Sequence, residues 1–459
     1  MSKIITASYK KGLFLLAMFG IMFLVSGCSI VKTPTATMSL DLEVWGLFDD
    51  SDTFSTTIAE YKKINPSITI KYKKLDPDTY KNELIESLAA NRGPDIILIQ
   101  NSWLRNFADK ITPAPAEIIT EQGFRKEFVD VVANDFIGQG KVYATPLSVD
   151  NLALFYNKDI FNQAGIVDPP KTWQEFVEDV KKTTKLDELG QIRQSGAAMG
   201  TAYNINRSTD ILNLLFLQYK TPMYDAQQGQ AKFQQGVGAL DFYTSFAKMK
   251  LSSSVENQYY SWNPKMHYSV DAFSEGNLAM MLNYSWQIET IKSKSPKLNF
   301  AIAPVPQLNI DDAVTYPNYW AFTVVANKAN ITSNGKKVNV SNNTRIAEAW
   351  KFLKFLTMKP VAIAGQPAPA TLFDAAAKYA QETGKPSGRR DLIEGQRNSV
   401  GVGVFAQQNL VAKNWQQSDP VAIETIFAEM IDKVNKGGAT TNEAIQEASR
   451  RVTQVMGGK

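Results

Sequence analysis

The sequence predicts an α/β protein with two lobes. Beyond residue 40, strand patterns alternate with amphipathic helix patterns, which is typical of a sheet flanked by helices. The chain has 459 residues, more than one hydrophobic core usually serves. Its apolar share of 44% is ordinary for a globular protein. We therefore expect two lobes, each with a mainly parallel sheet flanked by helices.

The first elements follow one another in a regular order. Apolar and polar residues alternate over 40–46 and predict a strand, and the apolar spacing over 52–64 predicts a helix that Asp52 caps. A second strand over 68–72, a second helix over 80–88 and an apolar strand over 96–99 follow. An unbroken apolar strand is typical of the buried centre of a parallel sheet.

The later part of the chain contains a polar insertion and two closing helices. Residues 330–344 include an Asn-Gly pair and predict a surface loop. Residues 422–434 and 443–455 have the apolar spacing of amphipathic helices.

Residues 1–27 have the layout of an export signal. Three lysines precede a short apolar run, and small residues precede the single cysteine, Cys28. The segment VSGC resembles the bacterial lipobox, which implies cleavage before a lipid-modified Cys28. A signal anchor with an ordinary buried cysteine is the alternative. We expect a mature protein that starts at Cys28, is held at the cell membrane by its lipid, and has a polar tether over 28–39.

Charge and rare residues exclude several classes of function. Removal of residues 1–27 lowers the formal net charge from +4 to +1, which does not suit nucleic-acid binding. With one histidine, His267, and one cysteine, the chain cannot build a Cys/His zinc site, a disulfide framework or a redox pair. A Ser-His-Asp triad would need His267, and no GxSxG motif occurs. We expect no catalytic residue, no metal and no cofactor.

Several runs of residues recur in an order that resembles a known family. The runs are VWGLFDD (44–50), NPSITIKY (65–72), GPDIILIQNSWL (93–104), and residues 141–165, 169–176, 273–286, 298–307 and 349–357. Together they resemble the family 1 extracellular solute-binding proteins, the maltose-binding-protein-like sugar receptors of bacterial ABC importers. The resemblance implies a type II periplasmic-binding-protein-like fold, in which three hinge crossings join two lobes.

The resemblance also implies a division of the chain, a ligand and partners. We expect a carbohydrate, an oligosaccharide, in a cleft between the lobes, delivered by hinge closure of a monomer to the permease subunits of an ABC transporter. The expected segments are the signal peptide 1–27, the tether 28–39, the first lobe 40–150 and 320–372, and the second lobe 151–319 and 373–459.

Tryptophan side chains supply the flat apolar faces that cover a sugar ring. Trp45 and Trp103 follow predicted strands, where α/β sheets bind their ligands. The resemblance places Trp286, Trp320 and Trp415 at the cleft. Core packing is the alternative for each of these five residues.

Polar side chains would bind the hydroxyl groups of a sugar. Asp150 and Asn151, in the first crossing, are the first choice, followed by Gln100 and Asn101 after the apolar strand. Arg207 matches a loop of the second lobe that faces the cleft in the family. Turn capping is the alternative for Asn151, and a surface salt bridge is the alternative for Arg207.

Other functions and ligands stay open at this point. A surface-anchored glycan-active enzyme, either a glycosidase or a lyase, would need two carboxylates across the scissile bond, and only Asp150 can be nominated. An adhesive or structural lipoprotein is a third possibility. Arg105 and Arg207 leave an anionic ligand open.

Overall fold

Two five-stranded sheets underlie the fold in the residues that the computed structural model describes, which are 39–252, 255–361 and 372–457. The predicted signal peptide, Cys28 and nearly all of the tether lie outside these residues. The first sheet contains β1 (Leu40–Gly46), β2 (Ile68–Lys74), β3 (Ile96–Gln100), β4 (Ile111–Thr112) and β16 (Trp320–Val325). The second sheet contains β7 (Ala153–Asn157), β8 (Lys185–Leu186), β9 (Ile192–Ala197), β14 (Leu278–Asn283) and β15 (Phe300–Ala303).

The first sheet has the strand order β2-β1-β3-β16-β4. β1 runs parallel to β2 and β3, so the predicted alternation of strands and helices is confirmed here. β16 runs antiparallel to β3 and β4. Its first residue, Trp320, pairs with the last residue of β3, Gln100. The pairing therefore sets Trp320 at the carboxyl end of β3.

The second sheet has the strand order β15-β7-β14-β9-β8. β14 and β9 are parallel, whereas β7 is antiparallel to β14 and β15, and β8 is antiparallel to β9. The expectation of a mainly parallel sheet in each lobe is therefore corrected to a mixed sheet in both, since β16 is also antiparallel to its two neighbours in the first sheet. β7 enters the sheet directly from a crossing, without the helical crossover that parallel neighbours need.

The other regular elements of the described residues are helices and two-stranded ribbons. The helices are α1 (Ser51–Ile64), α2 (Pro77–Ala89), α3 (Leu104–Phe107), α4 (Glu121–Glu127), α5 (Asp130–Phe136), α6 (Lys158–Gln163), α7 (Trp173–Thr183), α8 (Ser208–Gln218), α9 (Val237–Ser245), α10 (Ser269–Ser274), α11 (Gln287–Lys294), α12 (Asn342–Thr357), α13 (Ala375–Thr383), α14 (Arg390–Gln396), α15 (Val402–Gln408), α16 (Pro420–Asn435) and α17 (Thr441–Gly457). The ribbons pair β5 (Ile137–Gly138) with β6 (Lys141–Val142), β10 (Tyr224–Asp225) with β11 (Gln230–Ala231), β12 (Lys250–Ser252) with β13 (Val255–Glu256), and β17 (Thr332–Ser333) with β18 (Lys336–Lys337).

Two predicted element boundaries differ from the structure. The first helix begins at Ser51, and Asp50 rather than Asp52 occupies its N-cap position. The insertion 330–344 is a short hairpin, β17–β18, followed by the start of α12, whose first turn is capped by the Ser341 hydroxyl. An Asn-Gly pair favours a tight hairpin as strongly as a loop, which explains the second difference. Both predicted closing helices are confirmed as α16 and α17.

Each sheet is the centre of its own hydrophobic core. The first core buries Trp350 of α12, and the second core buries Trp262, both with no exposed surface. Both closing helices, α16 and α17, pack in the second core. Ala375 and Tyr379 of α13, however, pack in the first core. Ile393 of α14 packs there as well. The expectation that all residues from 373 onward belong to the second lobe therefore differs from the packing of α13 and α14.

Three segments pass between the two cores and bond to one another. The Leu152 amide donates to the Tyr316 carbonyl, and the Asn318 amide donates to the Asp150 carbonyl. The helix α15 lies between the cores, because two of its own adjacent residues are buried in different cores. Phe405 is buried in the second core and Ala406 in the first. The crossings are thus extended strands and one short helix held side by side.

A buried ion pair fixes α12 against the first sheet. Arg345 is fully buried and lies 3.3 Å from the buried carboxylate of Asp95, which also accepts a 2.7 Å bond from Lys328. Burial lowers the pKa of Arg345, and the Asp95 carboxylate opposes that effect. Among the described residues, no helix has both the length and the apolar character needed to cross a bilayer.

Candidate functional site

A polar cavity of about 80 Å³ lies between the two cores. Gln100 and Asn101 reach it from the end of β3, Arg207 and Asp210 from the start of α8, and Glu424 from the first turns of α16. The described residues contain no group of three or more His, Cys, Asp or Glu side chains arranged to hold a metal ion.

The end of β3 supplies amide groups to the cavity, as the rule on strand ends predicts. The Gln100 side chain donates to the Asn318 side-chain oxygen at 3.1 Å. Asn101 is 3% exposed, and its backbone amide donates to the Tyr319 carbonyl. Both residues line the cavity, so the structure brings these two sequence candidates together with Arg207.

Arg207 lies beside two stacked aromatic rings of the second lobe. Tyr284 and Trp286 stack with their ring centroids 4.4 Å apart and their planes 14° apart. The Arg207 guanidinium is 5.4 Å from the Trp286 ring and 5.9 Å from the Tyr284 ring. Arg207 has a left-handed backbone with φ of 62°, a conformation that costs free energy in a non-glycine residue. Trp286 remains 40% exposed, so part of this stack is open to a ligand.

A second aromatic group stands at the carboxyl end of β3. The Trp320 ring makes edge contacts with Trp103 at 5.0 Å and with Phe48 at 5.8 Å. Phe48 is 51% exposed and Trp320 is half-buried, so both can contact a ligand. Trp103 is buried against Trp320, and no residue in the described part of the chain accepts a hydrogen bond from its indole N–H. Trp103 thus supports the ring of Trp320.

Trp45 does not meet the expectation of an open ligand contact. It is 7% exposed, its indole N–H donates to the Glu43 carboxylate at 2.8 Å, and Lys73 covers its ring at 5.1 Å. It belongs to the first core because the last residues of β1 are enclosed by β2 and the helices.

Asp150 holds the segment that carries Trp286. Its carboxylate accepts bonds from the Ser285 hydroxyl at 2.5 Å and from the Ser285 amide at 3.1 Å. Burial raises the pKa of Asp150 to about 7, against the opposing effect of these bonds. Asp150 is 7% exposed and is not among the residues that line the cavity. Its role is therefore to position Ser285, and it does not form part of the cavity wall.

Asn151 has a structural role in place of the expected ligand contact. It is fully buried, and its amide nitrogen donates to the Phe405 carbonyl and the Asn409 side chain. Its side-chain oxygen accepts from Gln408 at 3.0 Å. The hydrogen bonds of the Asn151 side-chain amide are therefore made to the crossing that contains α15.

Trp415 is also occupied by packing. It is 8% exposed, stacks against Phe427 of α16, and donates its indole N–H to Asn213 at 2.9 Å. Asn213 lines the cavity, so Trp415 supports the cavity wall from behind instead of facing a ligand.

Three carboxylates near the cavity were not predicted as site residues. Burial raises the pKa of Asp135 to about 7, and this carboxylate accepts from the Tyr319 hydroxyl at 2.7 Å. Burial also raises the pKa of Asp210. Partial desolvation and the nearby Asp210 charge raise the pKa of Glu424, although its side chain remains exposed to solvent. Asp210 follows Arg207 by three residues, a spacing that brings opposite charges together on a helix. This spacing is the feature of the sequence from which Asp210 could have been predicted as a site residue. Nothing local in the sequence marks Glu424 or Asp135.

The amino-acid sequence is similar to those of several known proteins. A sequence profile described as bacterial extracellular solute-binding protein matches residues 46–363. A binding protein of Brucella abortus strain 2308 is 23% identical over 300 residues, which are 64% of this chain and 66% of that protein. The maltotriose-binding protein of Pyrococcus abyssi is 24% identical over 313 residues, 68% of this chain and 60% of that protein. The match therefore spans less than two thirds of the length of either relative.

The fold is similar to that of a solved protein structure. The crystal structure of the cyclic α-maltosyl-1,6-maltose binding protein from Arthrobacter globiformis superposes with a TM-score of 0.70 and 19% sequence identity. The superposition covers 92% of this chain and 100% of that protein. A likeness of this extent shows that the fold is shared.

Proposed function

Because this chain belongs to the family of bacterial extracellular solute-binding proteins, we propose that it captures an oligosaccharide and delivers it to the permease of an ABC importer. The ligands named for the Pyrococcus and Arthrobacter proteins, maltotriose and cyclic α-maltosyl-1,6-maltose, support a carbohydrate. In this proposal the protein is a binding protein and performs no covalent chemistry.

The observation that carries the proposal is a polar cavity together with an open aromatic surface on each lobe. The aromatic rings do not line the cavity, but Trp320 pairs with Gln100 and Trp286 lies 5.4 Å from Arg207, and both of these partners line it. Phe48 and Trp320 stand on the first lobe, and Trp286 stands on the second lobe. Flat aromatic faces cover the apolar C–H faces of a sugar ring, while the amides at the end of β3 suit its hydroxyl groups. This combination favours a saccharide over an amino acid or a peptide.

Binding in this proposal uses space beyond the cavity. The cavity of about 80 Å³ is far below the roughly 300 Å³ at which ligand pockets begin, so an oligosaccharide would extend past it over the aromatic surfaces, which do not line it. A ligand that contacts both aromatic surfaces would favour closure over an open form, because those contacts exist together only when the lobes are close. The permease would recognise the closed form.

The proposal includes the location of the protein and the division of its chain. Cys28 would carry the lipid that holds the protein outside the cytoplasm, and the protein would act as a monomer. We propose lobe boundaries at residues 150 and 319, as expected, with α13 and α14 assigned to the first lobe because of their packing. A mass spectrum of the intact mature protein that still contained residues 1–27 would contradict the lipid anchor.

Thermal unfolding with a panel of ligands tests the proposed substrate class. A ligand that binds only the folded protein stabilises it by about 2.7 kcal/mol at 100 times its Kd, so a binding oligosaccharide should raise the melting temperature in proportion to the logarithm of its concentration. A panel in which amino acids or polyamines raise the melting temperature and sugars do not would refute the proposal. Chromatography of the incubated sugars should detect no cleavage products, whereas turnover would support the enzyme alternative.

A further inference from the structure

Arg207 and Glu424 line the same cavity, and each carries a hydrogen-bonding atom that no described residue satisfies. The Nε–H of Arg207 is buried, and it finds no acceptor among the residues that the structure describes. Glu424 is exposed, and among residues 39–252, 255–361 and 372–457 its carboxylate accepts no hydrogen bond and forms no ion pair within 4 Å. A buried donor without an acceptor is costly, so the cavity offers one donor and one acceptor to whatever enters it.

This donor and this acceptor together select the chemistry of the ligand. A hydroxyl group can accept a hydrogen bond from Arg207 and donate one to Glu424 at the same time. A carboxylate can only accept, so it would satisfy Arg207 but face Glu424 with a like charge. An ammonium group can only donate, so it would satisfy Glu424 but face Arg207 with a like charge.

The charge of Arg207 is already balanced by nearby acids. Although burial opposes the effect, the neighbouring charges of Asp210 and Glu424 raise the pKa of Arg207. Asp210 is engaged on its other side by the Tyr284 hydroxyl, which donates to it at 2.8 Å. An anionic ligand would therefore meet two acidic side chains and one basic side chain at this point of the site.

We propose that Arg207 and Glu424 form a specificity-determining pair that admits an uncharged hydroxyl of a saccharide and rejects uronate and amino sugars. This inference rests on the proposed oligosaccharide function and narrows it to neutral ligands. Arg105 plays no part in it, because its guanidinium lies 5.8 Å from the Tyr224 ring and not at the cavity.

Isothermal titration of the full chain with three matched ligands tests the proposal. The ligands are the neutral oligosaccharide that binds best in the thermal panel and derivatives in which each hydroxymethyl group is replaced by a carboxylate or by an aminomethyl group. We expect the wild-type protein to bind both charged derivatives at least about tenfold more weakly, since like charges brought together in an interface cost several kcal/mol.

Glu424→Gln separates this role from general effects on binding. We expect the preference for the neutral ligand over the carboxylate derivative to shrink about tenfold, with little change in melting temperature because the side chain is exposed. Glu429→Gln is the matched control on the same helix, since Glu429 pairs with Arg451 at 2.5 Å and does not line the cavity. It should leave the preference unchanged.

The outcomes distinguish the inference from the function on which it rests. Equal affinity of the wild-type protein for neutral and carboxylate ligands, or an unchanged preference in Glu424→Gln, would overturn the specificity pair and leave the proposed function standing. Failure of every neutral oligosaccharide to bind would overturn both.

Discussion

Replacement of Trp286 by alanine tests the open aromatic surface of the second lobe. Trp286 is 40% exposed, so about 100 Å² of the roughly 250 Å² of a tryptophan remains open to a ligand. At about 25 cal/mol per Å², coverage of that area contributes at most about 2.5 kcal/mol. Because about 1.4 kcal/mol corresponds to a factor of ten, Trp286→Ala should raise the Kd for an oligosaccharide by roughly ten- to 70-fold.

Isothermal titration measures the change in Kd, and the melting temperature without ligand serves as the control for folding. Trp286 is not part of either hydrophobic core, so its removal should have little effect on unfolding. Trp286→Phe retains a ring against Tyr284 and should recover most of the affinity. An alanine variant that binds the sugar as tightly as the wild-type protein, with the same melting temperature, would refute the assignment of this surface to ligand binding.

Two further predictions concern stability. The pKa values of Asp135 and Asp150 are raised from 3.8 to about 7 in the folded protein, so the stability that their protonated forms provide is present below about pH 4 and is lost as the pH rises through 7. Calorimetry should show a falling melting temperature over that range, with a smaller fall in Asp135→Asn; the exposed control Asp130→Asn should keep the wild-type slope. Arg345→Ala should lower the free energy of unfolding in urea by about 3 kcal/mol, because the buried Asp95 carboxylate loses one cationic partner and keeps only Lys328. Lys351→Ala, on the exposed side of the same helix, should change it by less than about 0.5 kcal/mol, and equal effects would contradict this account.

The sequence alone predicted the parts of the molecule that depend on local pattern. The strands β1, β2 and β3 and the closing helices follow from apolar spacing, and their presence is confirmed. Gln100 and Asn101 were found because ligands of α/β sheets lie beyond strand ends, and both line the cavity. The resemblance to the solute-binding family and the type II periplasmic-binding-protein-like fold are likewise confirmed by the comparisons.

The candidates that proved to be buried could not be sorted from the sequence, because their partners are distant along the chain. Asn151 bonds to Phe405 and Asn409, which lie more than 250 residues away. Trp415 has polar neighbours in the sequence, yet its indole N–H donates a hydrogen bond to Asn213, which lies 202 residues away. A polar setting in the sequence therefore does not indicate exposure when three crossings bring remote segments together.

The neighbours Asp150 and Asn151 link the crossings to the aromatic surface of the second lobe. Asn151 ties the first crossing to the segment around α15, whereas Asp150 bonds to Ser285, one residue before Trp286. The Asp150 carbonyl also accepts from Asn318, two residues before Trp320. A shift at this crossing would therefore act on the segments that carry both aromatic surfaces. In the proposed function, in which the lobes close by a hinge and the ligand contacts both surfaces, these two adjacent residues would connect closure of the lobes to capture of the ligand.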